Sequence, residues 1–170
     1  MKEIIVTNRL LCSGDFMQQI EQALQSKPWG LLLREKDLPP TEYAALAVQI
    51  AALCRAQGVR FIVYHPHLGD FIHMPFPQAQ SITQPFSVSV HSVEEALAAQ
   101  AMGASFVIAG HIFATQSKPD LPPRGLDFLR AVCEHVAIPV FAIGGITDKN
   151  AQDCLAAGAA GICRMSYWCA

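Results

Sequence analysis

The chain has 170 residues, which suits a single domain with a sizeable core. Only 15% of its residues are charged against 52% hydrophobic, and the formal net charge is -2. That balance gives no general attraction to nucleic acid or an anionic membrane, so any anion site must be built locally. No apolar run is long enough to span a bilayer, and Met1-Lys2-Glu3 leads into a strand without the features of a signal peptide. The six cysteines, Cys12, Cys54, Cys133, Cys154, Cys163 and Cys169, show no metal-ligand spacing. Several lie among apolar neighbours and read as small buried hydrophobes. We therefore expect a protein of a reducing, cytoplasmic compartment.

Strands and helices alternate along the chain. Residues 2–7 (KEIIVT) read as a first short strand. Over 15–25 the apolar residues Phe16, Ile20, Ala23 and Leu24 keep a helical period, which Pro28-Trp29-Gly30 breaks. A second strand, 30–34, ends in the polar group Arg34-Glu35-Lys36-Asp37. Pro39-Pro40-Thr41 opens a helix that runs to Gln57 and stops at Gly58. A third strand at 61–64 precedes a proline-rich region, 65–85, with room for one short strand at 71–74. The fifth strand is 86–90. Ser92-Val93-Glu94-Glu95 has the form of a capping box, and its helix runs to Met102. The sixth strand, 106–109, is apolar throughout, as a strand covered on both faces must be. A helix at 125–135, a strand at 139–143, a helix capped by Thr147 and ending at Gly158, and an eighth strand at 161–165 complete the pattern.

Eight strands with intervening helices predict one α/β domain over 1–170, a (β/α)8 TIM barrel rather than an open flavodoxin-like sheet. The chain is short for that class. The shortfall falls on the helices after strands three, four and eight, which are reduced or missing.

In such a barrel the chemistry sits on the loops at the C-terminal ends of the strands. After strand six the chain turns at Gly110 and presents His111, then Thr115, Ser117, Lys118, Asp120 and Arg124. An imidazole, hydroxyls and fixed cations in one loop suit a small anionic substrate. Imidazole, with an ordinary pKa near ~6.5, both accepts and donates a proton at neutral pH. Strand seven closes on Gly144-Gly145, where backbone amides can approach an anion without side-chain obstruction and a following helix N-terminus adds a favourable field. Strand eight ends Arg164-Met165-Ser166, whose serine amide or hydroxyl suits a further phosphate oxygen. Arg164 itself is expected to point outward. Arg34 and Lys36 follow strand two, Arg34 either forking onto a carboxylate or phosphate or pairing internally with Glu35 or Asp37. Ser89 and His91 share one face by strand alternation. His65, His67 and His73 match no ordered ligand spacing, and no metal is expected on them. Nucleophile-elbow and H-E-x-x-H patterns are absent from the sequence.

These residues resemble the thiamin phosphate synthase/TenI superfamily. The likeness is carried by LLLREKDL (31–38), SVHSVEEA (89–96), GHIFATQSK (110–118), IPVFAIGGIT (138–147) and AAGAAGI (156–162). In that family the synthase branch couples a pyrimidine pyrophosphate to a thiazole phosphate and needs Mg2+. Its sequences usually carry Gly-Pro where this chain has Gly110-His111, and Asn-Asp where it has Tyr64-His65. The second metal-binding acid is expected near Met74-Pro75-Phe76-Pro77. Gly110-His111 instead resembles the TenI-like thiazole tautomerases.

The resemblance implies an isomerase that converts a carboxythiazole phosphate to its aromatic tautomer, with His111 as general acid/base and no cofactor. It implies that Gly144, Gly145 and the Met165–Ser166 backbone hold phosphate. Arg34, Lys36 or Lys118 would face the carboxylate or phosphate, with Ser89, His91, Thr115 and Ser117 as further substrate contacts. The alternatives are a Mg2+-dependent thiamin phosphate synthase and a non-catalytic module that binds a phosphorylated thiazole. The expected partner is a small phosphorylated thiazole, with neither nucleic acid nor membrane. The wall beside strands eight and one, bare and hydrophobic without a last helix, is expected to be covered by a second copy in a homodimer.

Overall fold

The computed structural model describes residues 1–76, 83–166 and Trp168. Its strands are β1 (Lys2–Val6), β2 (Gly30–Leu32), β3 (Arg60–Val63), β4 (Phe71–Pro75), β5 (Phe86–Val90), β6 (Phe106–Gly110), β7 (Val140–Ile143) and β8 (Gly161–Arg164). Its helices are α1 (Phe16–Leu24), α2 (Pro40–Gln57), α3 (Val93–Ala101), α4 (Gly125–His135) and α5 (Ala151–Ala156). The strands follow one another in chain order round a closed barrel. The pairs β1–β2, β2–β3, β3–β4, β5–β6, β6–β7 and β7–β8 are parallel. This is the TIM-barrel class expected from the alternation of elements. No helix follows β3, β4 or β8 among the described residues. No helix of those residues is long and apolar enough to cross a membrane.

By its internal contacts the chain divides into two compact units. One holds residues 3–73 and the C-terminal residues from Arg164 on. Its core is Ile5, Ile20, Leu24, Leu31, Leu33, Tyr43, Ala47, Ile50, Phe61 and Val63 with their neighbours. The apolar residues of α1 recur at the spacing that turns Ile20 and Leu24 inward. Asp15 caps this helix by accepting from the Gln18 N–H at 2.8 Å. Tyr43 of α2 is buried, and its hydroxyl donates to the Leu33 carbonyl at 2.9 Å and accepts from the Tyr64 N–H at 3.1 Å. One phenol thus ties the chain just beyond β2 to the chain just beyond β3.

The other unit holds Met1–Lys2 and Met74–Cys163. Every residue of β6 is buried, as its apolar run requires. Phe106 meets Phe141 of β7 edge to face, with centroids 5.4 Å apart. A side chain at Gly161 would come within 2.7 Å of the Phe141 ring, so β8 needs glycine where it enters this core.

Several details differ from expectation. Thr147 does not cap α5. Asn150 closes the turn before it, accepting from the Thr147 N–H at 2.7 Å and donating to the Gly145 carbonyl at 3.0 Å. Ser92 caps α3 as expected, but Glu95 accepts from the His91 N–H at 2.7 Å. Residues Arg9–Leu11 form a 3-10 turn capped by Asn8, which the sequence pattern did not reveal. Arg164 does not point outward: it is buried, with Nε 3.6 Å from Glu3. Cys54, Cys154 and Cys163 are buried free thiols, as read, but Cys12 is half-buried and disulfide-bonded. Cys169 lies outside the described residues. Trp168 packs against Phe16, centroids 6.2 Å apart, and its indole donates to the Val6 carbonyl at 3.0 Å. The chain itself therefore covers part of the face that was expected to need a second copy.

Candidate functional site

The unit with β5, β6 and β7 carries His111 directly after β6. The residue is only 5% exposed, and Nε2 lies 3.2 Å from the Leu121 carbonyl. A nitrogen facing a carbonyl oxygen at that distance must carry the proton. Nδ1 is buried and has no hydrogen-bond partner among the described residues. The surrounding loop is folded on itself. The Arg124 N–H donates to the His111 carbonyl at 3.0 Å, and the Gly125 N–H to that of Ile112 at 3.0 Å.

Gly144 and Gly145 hold φ of +106° and +63°. The Phe113 N–H donates to the Gly144 carbonyl at 3.0 Å. A Cβ at Gly144 would lie 2.5 Å from that of His111, and one at Gly145 would overlap the Ala114 carbonyl. The glycine pair is needed because the loops after β6 and β7 touch backbone to backbone. It fixes His111 against the loop after β7. α5 has only six residues, too few to supply the helix field expected behind these glycines.

His91 is half-buried and its Nδ1 lies 3.5 Å from Glu95. Burial, then the charge of Lys118, lowers its pKa below the ordinary imidazole value; Glu95 opposes this and Arg124 adds to it. Lys118 and Arg124 thus lend one positive field to the loops after β5 and β6. Ser89 is half-buried on β5. Thr115 is committed to its own turn, its Oγ1 accepting from the Ser117 N–H at 3.4 Å, and Ser117 is exposed. A recess of about 450 Å3 lies within this loop, lined by Thr115, Lys118, Asp120 and Leu121.

The other unit carries Arg34 and Lys36 beyond β2. Glu35 between them is 2% exposed. It accepts from the Thr7 hydroxyl at 2.6 Å, from the Arg9 N–H at 3.1 Å and from Arg9 Nη1 at 3.0 Å. Asp37 accepts from Arg9 Nη1 at 2.7 Å, and that guanidinium holds its carboxyl below the ordinary value. Both carboxylates of this loop are therefore taken by Arg9. Arg34 pairs with no carboxylate among the described residues; its Nη1 rests 3.9 Å from the Met165 sulfur. Lys36 Nζ stands 5.4 Å from the centre of the Tyr64 ring, which meets His73 edge to face at 5.9 Å. Burial raises the Tyr64 phenol and Arg34 opposes the rise. His73 of β4 is 3% exposed, and burial, then Lys36 and Arg34, drive its pKa down to about 3. It is a neutral imidazole beside two cations.

The sequence-predicted residues thus fall into two groups. His111, Gly144 and Gly145 meet in one unit, where Lys118 acts on His91. Arg34 and Met165 meet in the other, beside Lys36. Ser166 is exposed. Tyr64, Tyr43, Glu35, Thr7 and Arg9 carry the second group and were not singled out for these roles. An acid set between two cations, Arg34-Glu35-Lys36, was the available signal. His65 packs on Tyr43 and His73 on Tyr64. Among the described residues no group of three His, Cys, Asp or Glu is placed to hold a metal ion.

Comparison with known proteins adds to this geometry. The family described as thiamine monophosphate synthase matches residues 3–167. A thiamine-phosphate synthase of Coprothermobacter proteolyticus is 31% identical, over 98% of this chain and 86% of the relative. A putative thiamine-phosphate synthase 2 of Aquifex aeolicus is 34% identical, over 96% of this chain and 95% of the relative. Among solved structures, a thiamine phosphate pyrophosphorylase from Pyrococcus furiosus superposes with a TM-score of 0.85 at 29% identity, over 97% of this chain and 85% of that one. The isomerase expected from Gly110-His111 is corrected by these relatives, whose names are those of a transferase.

Proposed function

Because the chain belongs to the thiamine monophosphate synthase family, we propose that it is a transferase that couples a pyrimidine pyrophosphate to a thiazole phosphate. In that coupling one bond forms between the two ring systems, the carbon–oxygen bond to pyrophosphate breaks, and pyrophosphate leaves. The observation that carries the reading is the extent of the kinship, from residue 3 to residue 167, with relatives matched over most of their own length. Two clusters suited to anions support it. Lys118 and the Gly144–Gly145 corner would hold a phosphate, while the Nδ1 lone pair of His111 would accept a hydrogen bond from a donor on the substrate. Arg34 and Lys36 supply a second cationic position.

The Mg2+ that the family implies does not fit the residues present. Magnesium takes oxygen ligands, with one or two carboxylates as anchors. Tyr64-His65 and Met74-Pro75 stand where the acids are expected, Arg9 takes both carboxylates beyond β2, and His73 is a buried nitrogen base between cations. No step is therefore routed through a metal.

The same observation favours a second reading, a module that binds phosphorylated thiazole without turning it over. One assay separates the two. Both substrates are incubated with the protein, and thiamine phosphate is measured by mass spectrometry against a protein-free blank. Product accumulating with enzyme and falling at least tenfold in Lys118→Ala supports the transferase. Calorimetric binding of thiazole phosphate with no product, in EDTA and in Mg2+ alike, overturns it in favour of the binding module.

A further inference from the structure

We propose that the outer face of α2 is the interface of a two-fold symmetric dimer, in which α2 packs antiparallel on α2 of a second copy and Glu42 of each copy meets Arg55 of the other. None of these residues is among those assigned to the reaction, and the face lies wholly within the unit that holds residues 3–73.

A helix on the outside of a barrel ordinarily turns an apolar stripe to the core and charged or polar residues to solvent. α1 does so: its exposed residues are Gln18, Glu21 and Gln22. α2 does not. From Tyr43 to Cys54 it carries no charge. Tyr43, Ala47, Ile50 and Cys54 supply its buried side. Its exposed side over the same stretch is Ala45, Val48, Gln49 and Ala52, with Val48 65% exposed. Leu46 and Leu53, half-buried, continue the apolar surface along the edge that carries Glu42. A helix that is apolar on both sides is one that is covered on both sides.

The charges near its ends say what covers it. Glu42 and Arg55 are the only charged residues of α2, and both are exposed. No ion pair among the described residues includes either one. They stand at equal distances, about 10 Å along the helix, from the midpoint between Val48 and Gln49. A two-fold axis through that midpoint brings Glu42 level with Arg55 of the second copy, and Arg55 level with its Glu42. Ala45 comes level with Ala52, and Val48 with Gln49. A parallel pairing would instead set Glu42 against Glu42 and Arg55 against Arg55. The face is therefore complementary to itself in the antiparallel orientation alone, as an isologous contact requires. Glu42 and Arg55 lie on opposite edges of the face, and a crossing of about 20–50°, ordinary for packed helices, brings those edges together.

The Arg55 edge is also hollow. It borders a recess of about 560 Å3 that Arg60 and Asp70 help to line. The Asp70 carboxylate is turned to the Phe61 N–H, which donates to it at 2.8 Å. An acidic side chain entering from a second copy meets Arg55 and Arg60 here. A lipid surface fits this face less well, since a helix that lies on one brings a row of cations, and α2 brings a single cation at one end.

Sedimentation velocity of the full chain at tens of micromolar should show a dimer. Val48→Asp puts a charge at the centre of the face, on a side chain exposed in the single chain, and should weaken association by about tenfold or more. An unchanged far-ultraviolet circular dichroism spectrum shows that the variant still folds. Glu42→Arg and Arg55→Glu each set like charges together at both ends of the contact, and each should weaken the dimer by about tenfold. The double variant restores opposite charges and should return to within about threefold of the wild type. This reversal cycle reads the pairing even if Val48→Asp folds poorly. A monomeric wild type overturns the inference, and one that co-sediments with anionic vesicles gives the face to a lipid surface instead. A dimer that survives Val48→Asp also overturns it, because its contact then lies elsewhere. So do a double variant as weak as the single ones and any species larger than a dimer, since a two-fold contact closes on itself.

Discussion

At the scale of single residues, the second cluster is organised by how its members are charged. Glu35 is buried, and its two oxygens accept from Thr7 and Arg9 between Arg34 and Lys36 in the chain. His73 answers the same cations by remaining neutral, and that has a cost at low pH. The unfolded chain takes up a proton at this histidine as pH falls through about 6.5. The folded protein resists until about 3. Between those values each proton bound favours the unfolded chain. The stability associated with His73 is therefore complete above about pH 6.5 and lost below it, by roughly 1 kcal/mol per pH unit. His73→Asn, which cannot titrate, should not show this loss. Urea midpoints of both proteins, taken from about pH 7.5 down to about pH 5, give the difference directly. Parallel curves would mean that another group governs the acid limb.

At the scale of elements, glycine positions show which constraints are local and which are tertiary. Gly58 ends α2 with φ +67° and would meet nothing within 4 Å as alanine. Its role is readable from the sequence because a helix stop needs only a left-handed residue. Gly145 has a similar φ of +63°, but a side chain there would overlap the Ala114 carbonyl. Gly58→Ala should therefore cost about 1 kcal/mol, and Gly145→Ala about 3 kcal/mol or more, with backbone overlap added to the dihedral strain. Chemical denaturation checks the ratio, and equal costs would refute the claim that the loops after β6 and β7 are in contact through this corner. The same division explains what the sequence showed of the fold. Buried strands and the helix beginning at Ser92 follow from short-range pattern. The end partner of Glu95, the Asn150 turn in place of a Thr147 cap, and the burial of Arg164 against Glu3 depend on neighbours that no local window contains. At the site, His111, Arg34 and Lys36 stood out by position after a strand. Tyr64 and Tyr43 did not, because their roles come from packing between separate stretches of chain.

For the molecule as a whole, one question is what protects the start of the chain. Within the unit that holds residues 3–73, Trp168 supplies part of the answer, with its ring on Phe16 and its indole N–H on the Val6 carbonyl at 3.0 Å. This links residues separated by 162 positions, so the contact closes a long loop and forms only once both ends of the sequence are in place. The two parts of the contact can be separated by substitution. Trp168→Phe keeps an aromatic ring against Phe16 but removes the donor to Val6, and should cost about 1 kcal/mol. Trp168→Ala removes the ring as well. Because Trp168 is only half-buried, its loss should cost about 2 kcal/mol rather than the larger penalty of a fully buried tryptophan. In a chain of this length that corresponds to a melting temperature lowered by about 6 °C, with the phenylalanine variant falling between. Differential scanning calorimetry on the three proteins gives the order. If Trp168→Ala melts with the wild type, the ring is not protecting this end of the core.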